Sequence, residues 1–190
     1  MIRDKVSAAV AWWRDLQPDP PRRAGDRGAL ARLRRCGSVA DAMNEPATID
    51  LARRCNVRHP DALVEVALTA AVLAHLRKDR PELRVARQIG PQDGPEALET
   101  ALMKPLRFQR LMTAVTPDER LIAMRRLVAL AGGEANLRDL SAALLHWTEE
   151  RRRRWTYDYW GVGQPAARAT TTVSGTTAFG TTAPDKDDAA

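Results

Sequence analysis

Residues 116–133 read TPDERLIAMRRLVALAGG. Thr116 and Glu119 stand at the spacing of a capping box, in which each side chain satisfies a backbone N–H that the first helical turn leaves unpaired. Pro117 occupies the first helical position, where its fixed φ is already helical and its missing N–H costs nothing. Asp118 and Glu119 add the negative charge that a helix N-terminus favours, so this carboxylate pair reads as helix start rather than catalytic dyad. Gly132-Gly133 ends the segment. A start and a stop of this kind specify one helix with nothing left over.

The chain on either side is punctuated in the same way. Toward the N-terminus, Ile2, Val6, Ala9, Val10, Trp13 and Leu16 recur at steps of three and four until Pro18, Pro20 and Pro21 stop the helix. Asp26 caps a second helix with Leu30 and Leu33 inward and Gly37 at its end. A shorter piece covers Pro46 to Arg54, and Asp61 opens a long helix that reaches about Lys78. Gly90-Pro91-Gln92-Asp93-Gly94-Pro95 is the strongest interruption of the middle. Beyond it the pattern gives a helix near Glu96–Met103 and another from about Leu106. A last helix, capped by Asn136, runs to about Trp160 with Gly161 past its end. No pair of alternating apolar–polar runs is joined by a hairpin turn. The expected fold is all-α: an N-terminal helical bundle over residues 1–89 and a smaller C-terminal bundle over 96–163. Residues 164–190, rich in Thr, Ala, Gly and Pro with Phe179 as their one large apolar residue, are expected to form a disordered tail.

Composition excludes several classes. With 44% hydrophobic residues in a 190-residue chain there is material for a core. The apolar runs are far shorter than the roughly 20 residues a membrane span needs, and no secretory signal follows Met1, so the expected location is the cytoplasm. Cys36 and Cys55 read as reduced, buried thiols. His59, His75 and His146 are scattered singly, so no metal motif and no cofactor are expected. No glycine-rich phosphate loop lies between a strand and a helix. The serines have no neighbouring base in sequence. A catalytic role is not expected.

What remains is charge. The net charge is +6, and of the thirty basic residues all but four are Arg, whose planar fork suits phosphate oxygens. The arginines cluster at Arg27, Arg32, Arg34 and Arg35, at Arg53-Arg54, at Arg107 and Arg110, at Arg125-Arg126, and in the run Arg151–Arg154. Trp155, Tyr157, Tyr159 and Trp160 follow that last run. On one continuous helix, Trp155 and Tyr159 face the core while Arg153, Tyr157 and Trp160 point elsewhere. Several separated basic patches indicate an extended polyanion as partner.

Four landmarks in order carry a resemblance. Trp12-Trp13 with Asp26-Arg27-Gly28 and Ala31-Arg32-Leu33-Arg34-Arg35, then Pro105-Leu106-Arg107-Phe108-Gln109-Arg110-Leu111, come first. Leu127–Leu130 with Asn136-Leu137 and Asp139-Leu140, then Arg154-Trp155 and Tyr157-Asp158-Tyr159, complete the series. Together they are similar to the CasB family, the small subunit of the type I-E CRISPR surveillance complex Cascade. The resemblance implies a helical, non-enzymatic subunit packed as two copies along the CasC backbone, beside the CasA large subunit, CasD and CasE. It also implies that basic surfaces hold guide RNA and target DNA in the R-loop, where two nearly balanced duplexes exchange and backbone contacts tip the balance. The contact surface expected from these residues is Arg27, Arg34 and Arg35 in the first half, with Arg107, Arg110, Arg125 and Arg126 in the second. The alternative is a free-standing helical DNA-binding transcriptional regulator whose helix-turn-helix spans Leu121–Gly133 and the helix after Asn136. A third reading is a scaffold whose arginines meet acidic proteins.

Overall fold

The computed structural model describes residues 2–19 and 24–162; the expected tail at 164–190 lies outside them. The described residues form ten α-helices and one two-residue parallel strand pair. The helices are α1 (Ile2–Leu16), α2 (Arg27–Arg35), α3 (Val39–Met43), α4 (Pro46–Arg54) and α5 (Pro60–Leu73), followed by α6 (Val85–Ile89), α7 (Pro105–Thr113), α8 (Pro117–Leu130), α9 (Leu137–Leu145) and α10 (Glu149–Tyr159). The all-α expectation holds. No helix among the described residues is long and apolar enough to cross a membrane.

The hub is α5, in which Val66 through Leu73 are all buried. A helix apolar on every side must be surrounded, and α3, α4, α8 and α9 pack around it. Helix α1 lies mainly on α9, α10 on α6, and α7 on α8. Trp12 and Trp13 fix α1 by pointing to different neighbours. The Trp12 indole N–H donates to Ala47 O at 2.9 Å in α4, and that of Trp13 to Leu73 O at 3.1 Å and Leu76 O at 3.3 Å. Between α5 and α8, buried Arg120 grips Glu65 with two nitrogens, at 3.0 and 2.7 Å. Tyr159 stacks on Phe108 with centroids 3.9 Å apart, and its hydroxyl donates to Met103 O at 2.6 Å.

Four boundaries differ from the expectation, each for a local reason. The long helix opens one residue earlier, at Pro60, and ends at Leu73 rather than Lys78. Past Ala74 the backbone tightens, then Arg77 N bonds Gly133 O at 2.7 Å and Lys78 pairs with Glu134 in the strand pair. The expected helix at 96–103 is one 3-10 turn, Leu98–Thr100, because the Thr100 hydroxyl bonds Ala97 O and accepts Gln92 N. Two short helices, α3 and α6, were not marked by any long apolar period; α3 has its own capping box, Ser38 with Asp41, to which Asp118 adds by accepting Val39 N at 2.7 Å, while α6 borrows its cap from Asp139, which accepts Val85 N at 3.0 Å. The last expected helix is two. His146 leaves the helix with φ −158°, and Thr148 caps α10 by accepting Arg151 N, with Glu149 and Glu150 in the first turn. His146 is therefore exposed at a break, whereas Trp155 and Tyr159 are in the core as expected.

The loop at 90–95 is tied down by Arg87, which donates to Pro91 O and Gln92 O, and by the Gln92 side chain, which donates to Gly90 O. Helices from both sides of this loop contribute to one connected core. At Gly90 itself a Cβ would lie 2.0 Å from Tyr159 O and 2.9 Å from Tyr159 C. The obstacle is backbone, which cannot swing aside. Gly90→Ala is expected to lower stability by at least the about 1–3 kcal/mol typical of overpacking, read as a lower urea midpoint with loss of near-ultraviolet dichroism from the Trp155–Tyr159 region. An unchanged midpoint would refute this packing of α6 on α10.

Candidate nucleic-acid interface

Helix α7 buries Phe108 and Leu111, which leaves Arg107 and Arg110, three residues apart, on its outer face. The short link at Ala114–Thr116 turns the chain back into α8, whose capping box forms as expected: Thr116 accepts Glu119 N, and Glu119 accepts Thr116 N. Helix α8 buries Leu121, Met124, Leu127 and Val128, so Ile122 and Arg126 face outward beside α7. The result is an open groove of about 370 Å³ walled by Arg107, Arg110, Thr113, Ile122 and Arg126. None of these three guanidinium groups has a side-chain partner among the described residues. The one carboxylate in the wall, Glu119, is already committed, since it accepts Val115 N and Thr116 N at 3.0 Å each and is held below the usual carboxylate range by those bonds. Three uncommitted cations around an open groove suit a phosphate backbone.

The other four expected residues are placed differently. Arg34 and Arg125 converge on the C-terminal carbonyls of α2 and α5. Arg34 donates to Ala74 O at 2.7 Å, while Arg125 donates to Cys36 O at 2.7 Å, Leu33 O at 3.0 Å and Ala71 O at 3.4 Å. Helix C-termini leave carbonyls unpaired and partly negative, and a guanidinium answers both needs. All three nitrogens of Arg125 are thereby occupied. Arg27 and Arg35 are exposed on α2, and Arg35 shares a shallow hollow with Arg32, Asp41 and Glu45, where Arg32 pairs with Glu45 at 3.0 Å. Thus Arg107, Arg110 and Arg126 meet in one groove, Arg34 and Arg125 meet at helix ends, and Arg27 and Arg35 join neither.

Two expectations follow from the Arg34–Arg125 cluster. Arg125→Ala strands three carbonyls and is expected to cost about 1.5–3 kcal/mol, the range for hydrogen bonds to a charged group, while the salt slope of nucleic-acid binding stays unchanged. Arg125→Lys should recover little, because one ammonium cannot span three carbonyls; urea titration and binding at two salt concentrations separate these effects. The second concerns His75, which lies beneath both arginines. Burial and then the charges of Arg125 and Arg34 push its pKa down to about 4. The unfolded chain takes up this proton at the ordinary 6.5 and the folded chain does not, so stability is full above about 6.5 and falls as pH drops toward 4. His75→Leu should flatten that part of the pH profile of the urea midpoint.

The run Arg151–Arg154 is dispersed rather than presented as a patch. Arg151 donates to His146 O at 3.0 Å, Arg152 to Met112 O at 3.4 Å, Arg153 pairs with Glu149, and Arg154 reaches Asp139 at 3.8 Å. Tyr157 is half exposed, and Trp160 packs edge-on against Tyr159. A second basic surface that no single segment of sequence announced gathers Arg3 from α1, Arg84 beside α6, Arg138 from α9, and Arg151 and Arg154 from α10. Its parts are far apart in the chain, and only the folding of α1 onto α9 joins them. Cys36 and Cys55 are buried and unpaired, and burial pushes both thiols up. Among the described residues no group of His, Cys, Asp or Glu could hold a metal ion.

The sequence matches the family model of CRISPR-associated protein Cse2 over residues 29–160. The chain belongs to the Cse2 family. Cse2 is the CasB of the resemblance, so that expectation is met. The matched span includes Arg34, Arg35, Arg107, Arg110, Arg125 and Arg126, while Arg27 and the Trp12-Trp13 pair precede it. No curated protein matches the sequence. Among solved structures, a chain from the crystal structure of E. coli Cascade bound to a PAM-containing double-stranded DNA target is similar in fold, with a TM-score of 0.56 at 17% identity, covering 80% of this chain and 91% of that one.

Proposed function

We propose that this chain is the small subunit of a type I-E Cascade complex and that it grips nucleic-acid backbone, without base specificity and without catalysis, to help stabilise the R-loop. The observation that carries the reading is the groove between α7 and α8, where Arg107, Arg110 and Arg126 stand uncommitted around an open channel. Membership of the Cse2 family and the likeness in fold to a chain of DNA-bound E. coli Cascade support it. Arg27 and Arg35, exposed on α2, extend the contact. Its partners are the other Cascade subunits, a second copy of the chain, guide RNA and target DNA, encountered in the cytoplasm.

A base-reading regulator fits the geometry poorly. Helix α9 would be the recognition helix, yet Leu137 and Leu140 are buried and Asp139 caps α6, so Arg138 alone of its first turn faces outward. The test is a tagged pull-down from native cells with the eluate sized and its nucleic acid extracted. The expected result is a particle on the order of several hundred kilodaltons, as a multisubunit assembly requires, holding a discrete guide-sized RNA. A lone chain or small dimer without RNA would overturn the reading.

A further inference from the structure

The second basic surface is shaped for an occupant with two chemistries. Its floor is apolar, made by Ile2, Val6 and Ala142, and its rim carries Arg3, Arg84, Arg138, Arg151 and Arg154 around an open trough of about 460 Å³. Two aspartates answer these five arginines, and they do so loosely. Asp139 sits 3.8 Å from Arg154, and Asp158 lies 3.2 Å from Arg84 and 3.9 Å from Arg154. Arg3 and Arg138, exposed on α1 and α9, have no side-chain partner among the described residues. Arg84 also lines an adjoining hollow of about 400 Å³, whose wall includes Leu83 and Tyr157 at 42% and 50% exposure. A trough ringed by positive charge therefore lies beside an exposed apolar and aromatic wall, the two meeting at Arg84. No residue lining either depression lines the groove between α7 and α8.

A nucleic-acid backbone matches this surface poorly. Its charges repeat evenly along the strand, whereas here two carboxylates stand among the guanidinium groups, and a leucine and a tyrosine extend the surface. An acidic amphipathic helix supplies what the surface lacks: carboxylates along one face for the arginines and apolar side chains along the next. Arg and Tyr are also the residues that most often anchor contacts between proteins. We propose that the trough and the hollow together dock an acidic amphipathic helix of another protein subunit, with carboxylates against Arg3 and Arg138 and apolar side chains against Leu83 and Tyr157. The proposal rests on the reading of this chain as one subunit of a larger complex. Because the two surfaces share no residue, the protein contact and the nucleic-acid groove are occupied at the same time.

The test uses the tagged full chain expressed in its native cells, as wild type, as R3E/R138E and with Leu83→p-benzoylphenylalanine. Reversing two unpartnered charges sets like charges against the incoming helix, so recovery of R3E/R138E in the large particle should fall about 10-fold relative to wild type. The purified variant should keep the wild-type urea midpoint and bind oligothymidylate with unchanged affinity, which separates a lost protein contact from a lost fold. Irradiation of the particle should cross-link position 83 to another protein, in a peptide where Asp or Glu alternates with apolar residues at helical spacing. Wild-type recovery of R3E/R138E would overturn the proposal, as would a cross-link to a neutral or basic peptide, to a second copy of this chain, or none. Weaker oligothymidylate binding by R3E/R138E, or a cross-link to nucleic acid, assigns the trough to nucleic acid and overturns it too. A wild-type chain found in no particle would overturn the Cascade reading and this proposal with it, whereas the variant outcomes bear on the trough alone.

Discussion

Replacing Arg107, Arg110 and Arg126 together by alanine should weaken binding to a single-stranded oligonucleotide about 100-fold at 0.1 M salt and lower the slope of log K against log salt by about 2. The arithmetic is that each phosphate neutralised on a single strand contributes about 0.7 to that slope. The three side chains are exposed and their guanidinium groups make no hydrogen bond or ion pair with the described residues, so the fold should be untouched. Far-ultraviolet dichroism and the urea midpoint should match wild type. A triple variant with unchanged affinity and slope would remove the groove from the interface. Loss of binding to one oligonucleotide sequence but not others would be equally damaging, because backbone contacts carry no sequence information.

The second large effect is expected at Trp13. Its indole is buried and donates to Leu73 O, which also accepts Leu76 N, and to Leu76 O, which has no backbone donor where the chain leaves α5. Trp13→Ala removes that donor and opens a cavity between α1 and the hub helix, for an expected cost of about 3–5 kcal/mol. Such a loss is a large part of the about 5–15 kcal/mol by which most domains are stable. Trp13→Phe separates the terms, since it keeps most of the ring volume and deletes the N–H. Its cost should be about 1–3 kcal/mol, the penalty for leaving a buried acceptor unpaired. Equal midpoints for Trp13→Phe and wild type in urea titration would show that Leu76 O is satisfied by another route.

Helix type and rough position were legible because caps are local. Thr116 with Glu119, Asp26 and Asn136 each act on a backbone N–H three residues away, and each does so in the structure. The failures have the opposite character. The C-terminal end of α5 and the start of α6 depend on Gly133, Glu134 and Asp139, residues dozens of positions away. Thr148, Glu149 and Glu150 did mark the break before α10, but the apolar period on either side is regular enough to read through it. The same division runs through the arginines. Arg107 and Arg110 are legible as a pair because one helix face sets both. Arg125 and Arg126 are adjacent and identical in type, yet one is turned onto carbonyls of α2 and α5 while its neighbour faces the groove. Only the crossing of α8 over those helix ends distinguishes them.

The seating of α1 on α9 also bears on how the protein is made. Residues 2–16 leave the ribosome well before the helix that covers them, which is complete only at residue 145. At about 5–20 residues per second that interval is on the order of ten seconds. During it, Val6, Val10 and Trp13 present an apolar stripe with its principal cover still unsynthesised. The nascent chain therefore offers a hydrophobic helix to any chaperone at the tunnel exit, and closure of the molecule is a late, long-range event rather than a stepwise stacking of neighbouring helices.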